Sequence, residues 1–262
     1  MPIFIIAPML FVLYYAFFRD GQFTLEYARS VVAEGTYLGA FWNSLWIALA
    51  TTAACLLLGY PVAYILSNMK KRTAALISLL FILPMWMNML LRTLAWKLLL
   101  FDGGVFQQVL SFFGAGKVQL LYTPGAVLLA TIYDFLPFMI LPIYTTLQKL
   151  DRSLVEAAHD LGANSVQTFT KVILPQSIPG VISGITMVFV PAMSTFAVST
   201  MLGGKQVILL GEVIEEKFLS GTDSVLGVGS ALSLVLIVLV ILSMVIMNRI
   251  DKDNSASGGT LW

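Results

Sequence analysis

Few residues in this 262-residue chain could do chemistry, and their placement narrows what that chemistry is. His159 is the single histidine and Cys55 the single cysteine, which rules out an internal disulfide, a multi-cysteine metal site and a His-Glu-x-x-His zinc motif. Cys55 sits in an apolar run and reads as a small buried hydrophobe. Asp134 is the clear carboxylate within a long apolar stretch, whereas a paired-aspartate intramembrane protease needs two. The phosphate-binding pattern Gly-x-x-x-x-Gly-Lys-Ser/Thr is missing, since Gly203-Gly204-Lys205-Gln206 lacks both the first glycine and the hydroxyl. The chain therefore reads as non-catalytic, with no catalytic residue and no metal or cofactor bound by it. What stands out is a polar stretch between two apolar runs, carrying Glu156, Ala157, Ala158, His159, Asp160, Gly162, Leu174 and Pro175.

The elements that must position these residues are hydrophobic. Residues of apolar type make up 58% and charged residues 11% of the chain, against roughly 45–50% and about 25% in soluble domains. A net charge of +1 lacks the single-sign field of a nucleic-acid binder, so no nucleic acid is expected as a partner. A bilayer crossing takes about 20 apolar residues, and hydropathy predicts six spans, at 2–18, 41–66, 74–98, 124–147, 177–202 and 225–248. The first has no basic leader or small-residue cleavage site and is expected to be a permanent span. Pro61, Pro84, Pro137, Pro142 and Pro191 fall inside spans and predict kinks. Lys70, Lys71 and Arg72 form an acid-free cluster that places the loop between spans two and three in the cytoplasm, with both termini on the same side. The chain reads as one all-α transmembrane domain, residues 1–250, with a cytoplasmic loop at 148–176 and a disordered tail at 251–262.

The polar loop has the pattern of two short helices. Ser153 and Glu156 have capping-box spacing, and Leu150, Leu154, Ala157, Ala158 and Leu161 recur at helical spacing to predict one apolar face. Gly162 is placed to end this helix in a left-handed conformation. Asn164 or Ser165 can cap a second helix bearing Val166, Phe169, Ile173 and Leu174, which Pro175 is expected to stop. On these residues alone the pair could equally be an amphipathic hairpin lying on the membrane, with Glu156 serving only its cap.

The string EAAHDLGANSVQTFTKVILP resembles the EAA loop of ATP-binding-cassette (ABC) importer permeases: Glu-Ala-Ala, three residues, Gly, nine residues, an aliphatic, one residue, Leu-Pro. Val172 stands where isoleucine is more usual. The resemblance implies a type I ABC importer permease fold with six transmembrane helices. It also implies that the loop is a coupling helix, docked in a cleft of an ATP-hydrolysing subunit. Ala157 and Ala158 would then allow close approach, Glu156 would meet a basic residue, and Gly162 would permit the bend. ATP and Mg would be used by that partner. The implied assembly adds a second, related permease chain, making a heterodimer, two copies of the ATPase and an external substrate-binding protein, all in a bacterial plasma membrane (the inner membrane of a Gram-negative cell). The stretches LLGYPVAYILS, ILPMWMNMLLRTLAW, YTPGAVLL, LPFMILPIY and LDRSLVEAAHDLGA resemble the spermidine/putrescine branch of this family, although permeases for iron, sulfate and thiamine share the general pattern.

A polyamine is a flexible polycation, so its path should offer carboxylates and aromatic faces, each cation–π contact contributing about 0.5–2 kcal/mol. Asp134, between Tyr133 and Phe135, is one candidate; a charge there costs roughly 2.5–3.5 kcal/mol and needs compensation. Facing the path, pairing with Arg92 and remaining protonated or interfacial are all open, and Arg92 is expected to differ from Asp134 in depth by roughly 12 Å. Trp86 is either a path residue or an interfacial anchor. Glu212, with Glu215, Glu216 and Asp223, gives the third outer loop an acidic bias that could attract cations, receive a binding protein or simply be solvated. A secondary transporter remains the rival class, because six spans could form one of two inverted repeats.

Overall fold

A computed structural model of the chain describes residues 2–19, 21–114, 118–221 and 223–257. The long apolar runs are helical, since helices satisfy every backbone group internally where lipid supplies no hydrogen bonds. In chain order they are α1 (Pro2–Phe17), α2 (Glu26–Ala33), α3 (Gly35–Asn68), α4 (Lys71–Ile82), α5 (Met89–Leu100), α6 (Val105–Phe112), α7 (Pro124–Gln148), α8 (Arg152–Asp160), α9 (Ser165–Thr168), α10 (Leu174–Ser194), α11 (Leu210–Ser220) and α12 (Asp223–Ser257). The all-α expectation holds apart from a two-residue ladder, Phe18–Arg19 against Gln22–Phe23.

Among the described residues four helical runs are long and apolar enough to cross a membrane: Gly35–Asn68, Pro124–Gln148, Ser165–Ser194 and Val225–Arg249. The expected third span, 74–98, is not one helix. A 3₁₀ turn at Leu83–Trp86 follows α4, and Met87 is extended at φ −75°, ψ 147° before α5 starts, so the pair has the length and composition of a broken span or a re-entrant loop. The kink expected at Pro84 is thus a full break, which hydropathy averages over because Asn88 is the single polar residue in it. The first helix, α1, has 16 residues, which at 1.5 Å each reach about 24 Å against a hydrocarbon core of about 30 Å. The described part of the expected first span is thus shorter than the other four.

Pro61 lies within α3 and Pro137 and Pro142 within α7, as expected. Pro175 behaves differently, because the helix runs on through it to Ser194. A π turn at Phe169–Ile173 precedes the proline, and the Leu174 amide bonds Phe169 O, five residues back. That wider turn relieves the clash a proline ring makes with the carbonyl four residues before it. The loop's second helix and the expected fifth span thus form one continuous element. At its other end this span breaks at Thr195–Phe196 and resumes as a π turn, Ser199–Gly203. The last helix, α12, continues to Ser257, through residues expected to form a tail, and 258–262 lie outside the described residues.

The chain forms two compact units. One comprises Met1–Leu49, Met89–Thr131 and Pro191–Leu242, with Val127, Val198, Leu202 and Leu209 at the centre of its core. The other comprises Ala50–Asn88, Ile132–Val190 and Ser243–Trp262 and contains the whole polar loop. Its core joins Cys55, Ala63, Met139, Ile140, Ile143, Ile173 and Val188. Cys55 is fully buried, its thiol donating to Ile132 O at 3.7 Å. In the same unit α10 packs tightly on α7, where a Cβ on Gly180 would lie 2.6 Å from Thr146 Oγ1 and 2.8 Å from Pro142 O.

The candidate coupling loop and substrate path

The loop is built from caps. Asp151, not Ser153, is the N-cap of α8, and its Oδ1 accepts from the Ser153 amide at 2.9 Å. The Ser153 amide and hydroxyl hold the Asp151 carboxyl below its ordinary range. The predicted Ser153–Glu156 box is therefore absent: with Arg152 as the first helical residue, Glu156 is the fifth, too far along to reach back to the cap amide. At the other end the Gly162 amide donates to His159 O at 2.9 Å and the Ala163 amide to Ala158 O at 3.0 Å. Gly162 takes φ +83°, the left-handed terminator its position predicts. His159 Nδ1 lies 3.2 Å from Ala163 O, so the histidine closes the same turn. A full capping box then opens the next helix. Asn164 Oδ1 accepts from the Gln167 amide at 2.9 Å, and Gln167 Oε1 accepts from the Asn164 amide at 3.0 Å.

The expected apolar face is divided rather than continuous. Leu150, Val155 and Phe169 pack onto the core of their unit. Leu154, Leu161 and Val166 point outward, with Leu161 90% exposed. Glu156, Ala157, His159, Asp160, Gly162, Leu174 and Pro175 are also exposed, and Ala158 is half-buried. Among the described residues Glu156 makes no ion pair, and it lines a cleft of about 460 Å³ with Asn68, Lys71, Gln148 and Arg152. A capped hairpin thus exposes leucine, valine and alanine, with the Glu156 carboxylate in a cleft it shares with Lys71 and Arg152.

The candidate path residues do not form one cluster. On α7, Asp134 is buried at 4% exposure, its neighbour Tyr133 is 40% exposed, and Phe135 joins the core of its unit with its ring 6.2 Å from Phe138. Trp86, in the 3₁₀ turn, is 78% exposed. Glu212 lies in the first turn of α11, half-buried, and accepts from Ser199 Oγ at 2.5 Å. Burial raises its carboxyl above the ordinary range, opposed by the Ser199 hydroxyl and the Leu209 amide and reinforced by Glu216 and Glu215. Sequence reasoning missed Ser199 and Asp151. The Asp-x-Ser spacing at a helix start could have found Asp151, whereas nothing local links Ser199 to Glu212.

Residues 56–255 match the model of a protein family described as the binding-protein-dependent transport system inner membrane component. The chain belongs to this family. The spermidine/putrescine transport system permease protein PotB of Escherichia coli (strain K12) is 38% identical over 218 residues, covering 82% of this chain and 78% of that protein. PotB of Haemophilus influenzae is 39% identical over 259 residues, covering 95% and 89%. Among solved structures, a bacterial alginate ABC transporter in complex with an alginate pentasaccharide-bound periplasmic protein superposes at TM-score 0.78 over 96% of this chain and 89% of that one, at 14% identity. The inward-facing MetNI methionine ABC transporter superposes at 0.62 over 83% and 95%, at 18% identity. These likenesses establish the type I ABC importer permease fold. The permease is a multi-pass component of a bacterial inner membrane, as the resemblance of its loop implied.

Proposed function

We propose that this permease carries polyamines, spermidine and putrescine, across the inner membrane, powered by ATP hydrolysis in a partner chain. The identity of 37–39% with proteins named as spermidine/putrescine permeases carries this reading. The loop supports the coupling half of it, since α8 exposes Glu156 and Ala157 beside Leu154 and Leu161, a face suited to docking on another protein. In this assignment Glu156, Ala157, Ala158, His159, Asp160 and Gly162 engage the ATPase, while Leu174 and Pro175 carry the displacement into α10. A second, related permease chain completes the path, two ATPase copies bind the two loops, and an external binding protein delivers substrate. The loop and both termini face the cytoplasm. In the same reading Tyr133 and Trp86 expose aromatic faces suited to a polycation, and Phe135, Asp134 and Glu212 are assigned to the path as its further aromatic and acidic residues.

The test is uptake of labelled spermidine into proteoliposomes holding the assembled transporter, with ATP inside and binding protein outside. Wild type should accumulate spermidine and putrescine but not sulfate or iron. Glu156→Lys should leave the chain folded and lower uptake at least tenfold while the ATPase still hydrolyses ATP. Uptake of equal rate without ATP would overturn the reading.

A further inference from the structure

The aromatic ring of Phe169 stands between Tyr60 and Tyr64 of α3, edge-on to both, with ring centroids 5.8 and 5.6 Å away and interplanar angles of 88° and 85°. Phe169 is also the first residue of the π turn that links α9 to α10. Beyond that turn, the Tyr60 hydroxyl lies 2.9 Å from Ser177 Oγ, and Ser177 is fully buried, its hydroxyl donating in turn to Leu174 O at 2.8 Å. One side chain on α3 therefore holds the polypeptide at both ends of the π turn: its ring on the turn's first residue, its hydroxyl on a residue beyond the turn.

Both helices are interrupted at this level. Pro61 lies between the two tyrosines in α3 and supplies no amide to the helix ladder. The π turn followed by Pro175 interrupts the regular bonding of the other helix. A helix with such a defect can bend there without breaking a whole turn of bonds, so a push on the loop would be absorbed unless something bridges the defect. Tyr60 bridges it.

We infer that Tyr60 is a positioning residue for coupling: by clamping Phe169 and Ser177 together across the π turn, it makes the α8–α9 loop and α10 move as one body. The inference rests on the proposal that the loop receives the displacement of an ATPase. If the clamp is intact, motion at Glu156 reaches the membrane-spanning part of α10. Without it, the loop swings about the π turn and hydrolysis proceeds while transport lags. The roles are separable by atom, since the hydroxyl grips α10 and the ring grips the loop.

The experiment measures spermidine transported per ATP hydrolysed by the complete transporter in proteoliposomes. Tyr60→Phe, which keeps the ring and removes the hydroxyl, should lower that ratio about three- to tenfold, the factor one hydrogen bond is worth, with hydrolysis within about twofold of wild type. Phe169→Ala should lower it further, and Phe169→Tyr, which retains a ring between the tyrosines, should restore most of it. An unchanged ratio in Tyr60→Phe overturns the inference, and so does a parallel fall of transport and hydrolysis, which marks a merely structural role. Glu156→Lys distinguishes the two levels. If it uncouples while Tyr60→Phe does not, the clamp alone fails; if Glu156→Lys leaves coupling intact, the docking proposal beneath it fails.

Discussion

Ser199 Oγ donates to Glu212 Oε2 at 2.5 Å, tying the π turn at Ser199–Gly203 to the first turn of α11 within one compact unit. The bond satisfies a carboxylate that burial would otherwise leave poorly solvated, and it places a serine hydroxyl, a backbone amide and two neighbouring glutamates around a single titrating group.

That arrangement sets the sign of a pH dependence. Burial raises the folded-state pKa of Glu212 above its ordinary value of 4.5. Its protonated form is thus favoured in the folded chain, and the stability this contributes is full below the ordinary value and lost as pH rises through the raised one. Replacing it with an uncharged amide removes the loss. Thermal unfolding of purified Glu212→Gln in detergent, scanned from acid to pH 8, should show the variant gaining on wild type as pH rises, by on the order of 1–2 °C. A difference that shrinks toward high pH would show that the Ser199 bond outweighs burial.

Gly162 carries a second prediction. Its φ of +83° is forbidding to a residue with a side chain, yet a Cβ there would touch nothing within 4 Å. Any effect of Gly162→Ala is therefore one of backbone conformation, costing about 1–2 kcal/mol. The strain falls on the turn that ends α8, where the Gly162 and Ala163 amides bond back to His159 and Ala158. Gly162→Ala should lower spermidine uptake per ATP several-fold with little change in global melting, and Gly162→Asn, which tolerates the left-handed region better, should be milder. Equal uptake ratios for wild type and Gly162→Ala would show that the turn's geometry does not matter to coupling.

The features legible in the sequence were those set by local chemistry. A glycine after a helical apolar pattern, an asparagine three residues before a glutamine and long apolar runs each have one inexpensive conformation, and Gly162, Asn164 and α7 adopt it. Misreadings arose where two local signals compete. Asp151 lies two residues before Ser153 and takes its amide, which shifts the helix start and leaves Glu156 exposed rather than capping. Pro175 is a stop signal by itself, but the π turn before it removes the clash, and the first residue of that turn, Phe169, packs on α3. Pro84 announces the break at Met87 only as a kink, and the single polar residue beside it, Asn88, is too little to divide a hydropathic run. Contacts such as Tyr60 with Ser177, 117 positions apart, depend on how α3 and α10 pack and have no signature in either segment.

The close approach of α10 to α7 gives a third prediction, one about stability. Gly180 is buried, and an added Cβ would meet Thr146 Oγ1 at 2.6 Å and the backbone oxygen of Pro142 at 2.8 Å. The hydroxyl can rotate away, but the carbonyl belongs to a helix and cannot. Gly180→Ala must therefore push the two helices apart, at an overpacking cost of about 1–3 kcal/mol, a fall on the order of 3–8 °C in melting temperature. Thr146 Cβ lies as close as the carbonyl, at 2.8 Å, so adding Thr146→Ala removes only the hydroxyl, one of three obstacles, and the double variant should recover part of the loss and not all of it. Gly125 supplies the control, because its Cβ would meet only Thr123 Oγ1 at an ordinary 3.6 Å, and Gly125→Ala should melt close to wild type. Full recovery in the double variant would mean that the Pro142 carbonyl yields and that α7 and α10 are held apart by the threonine alone.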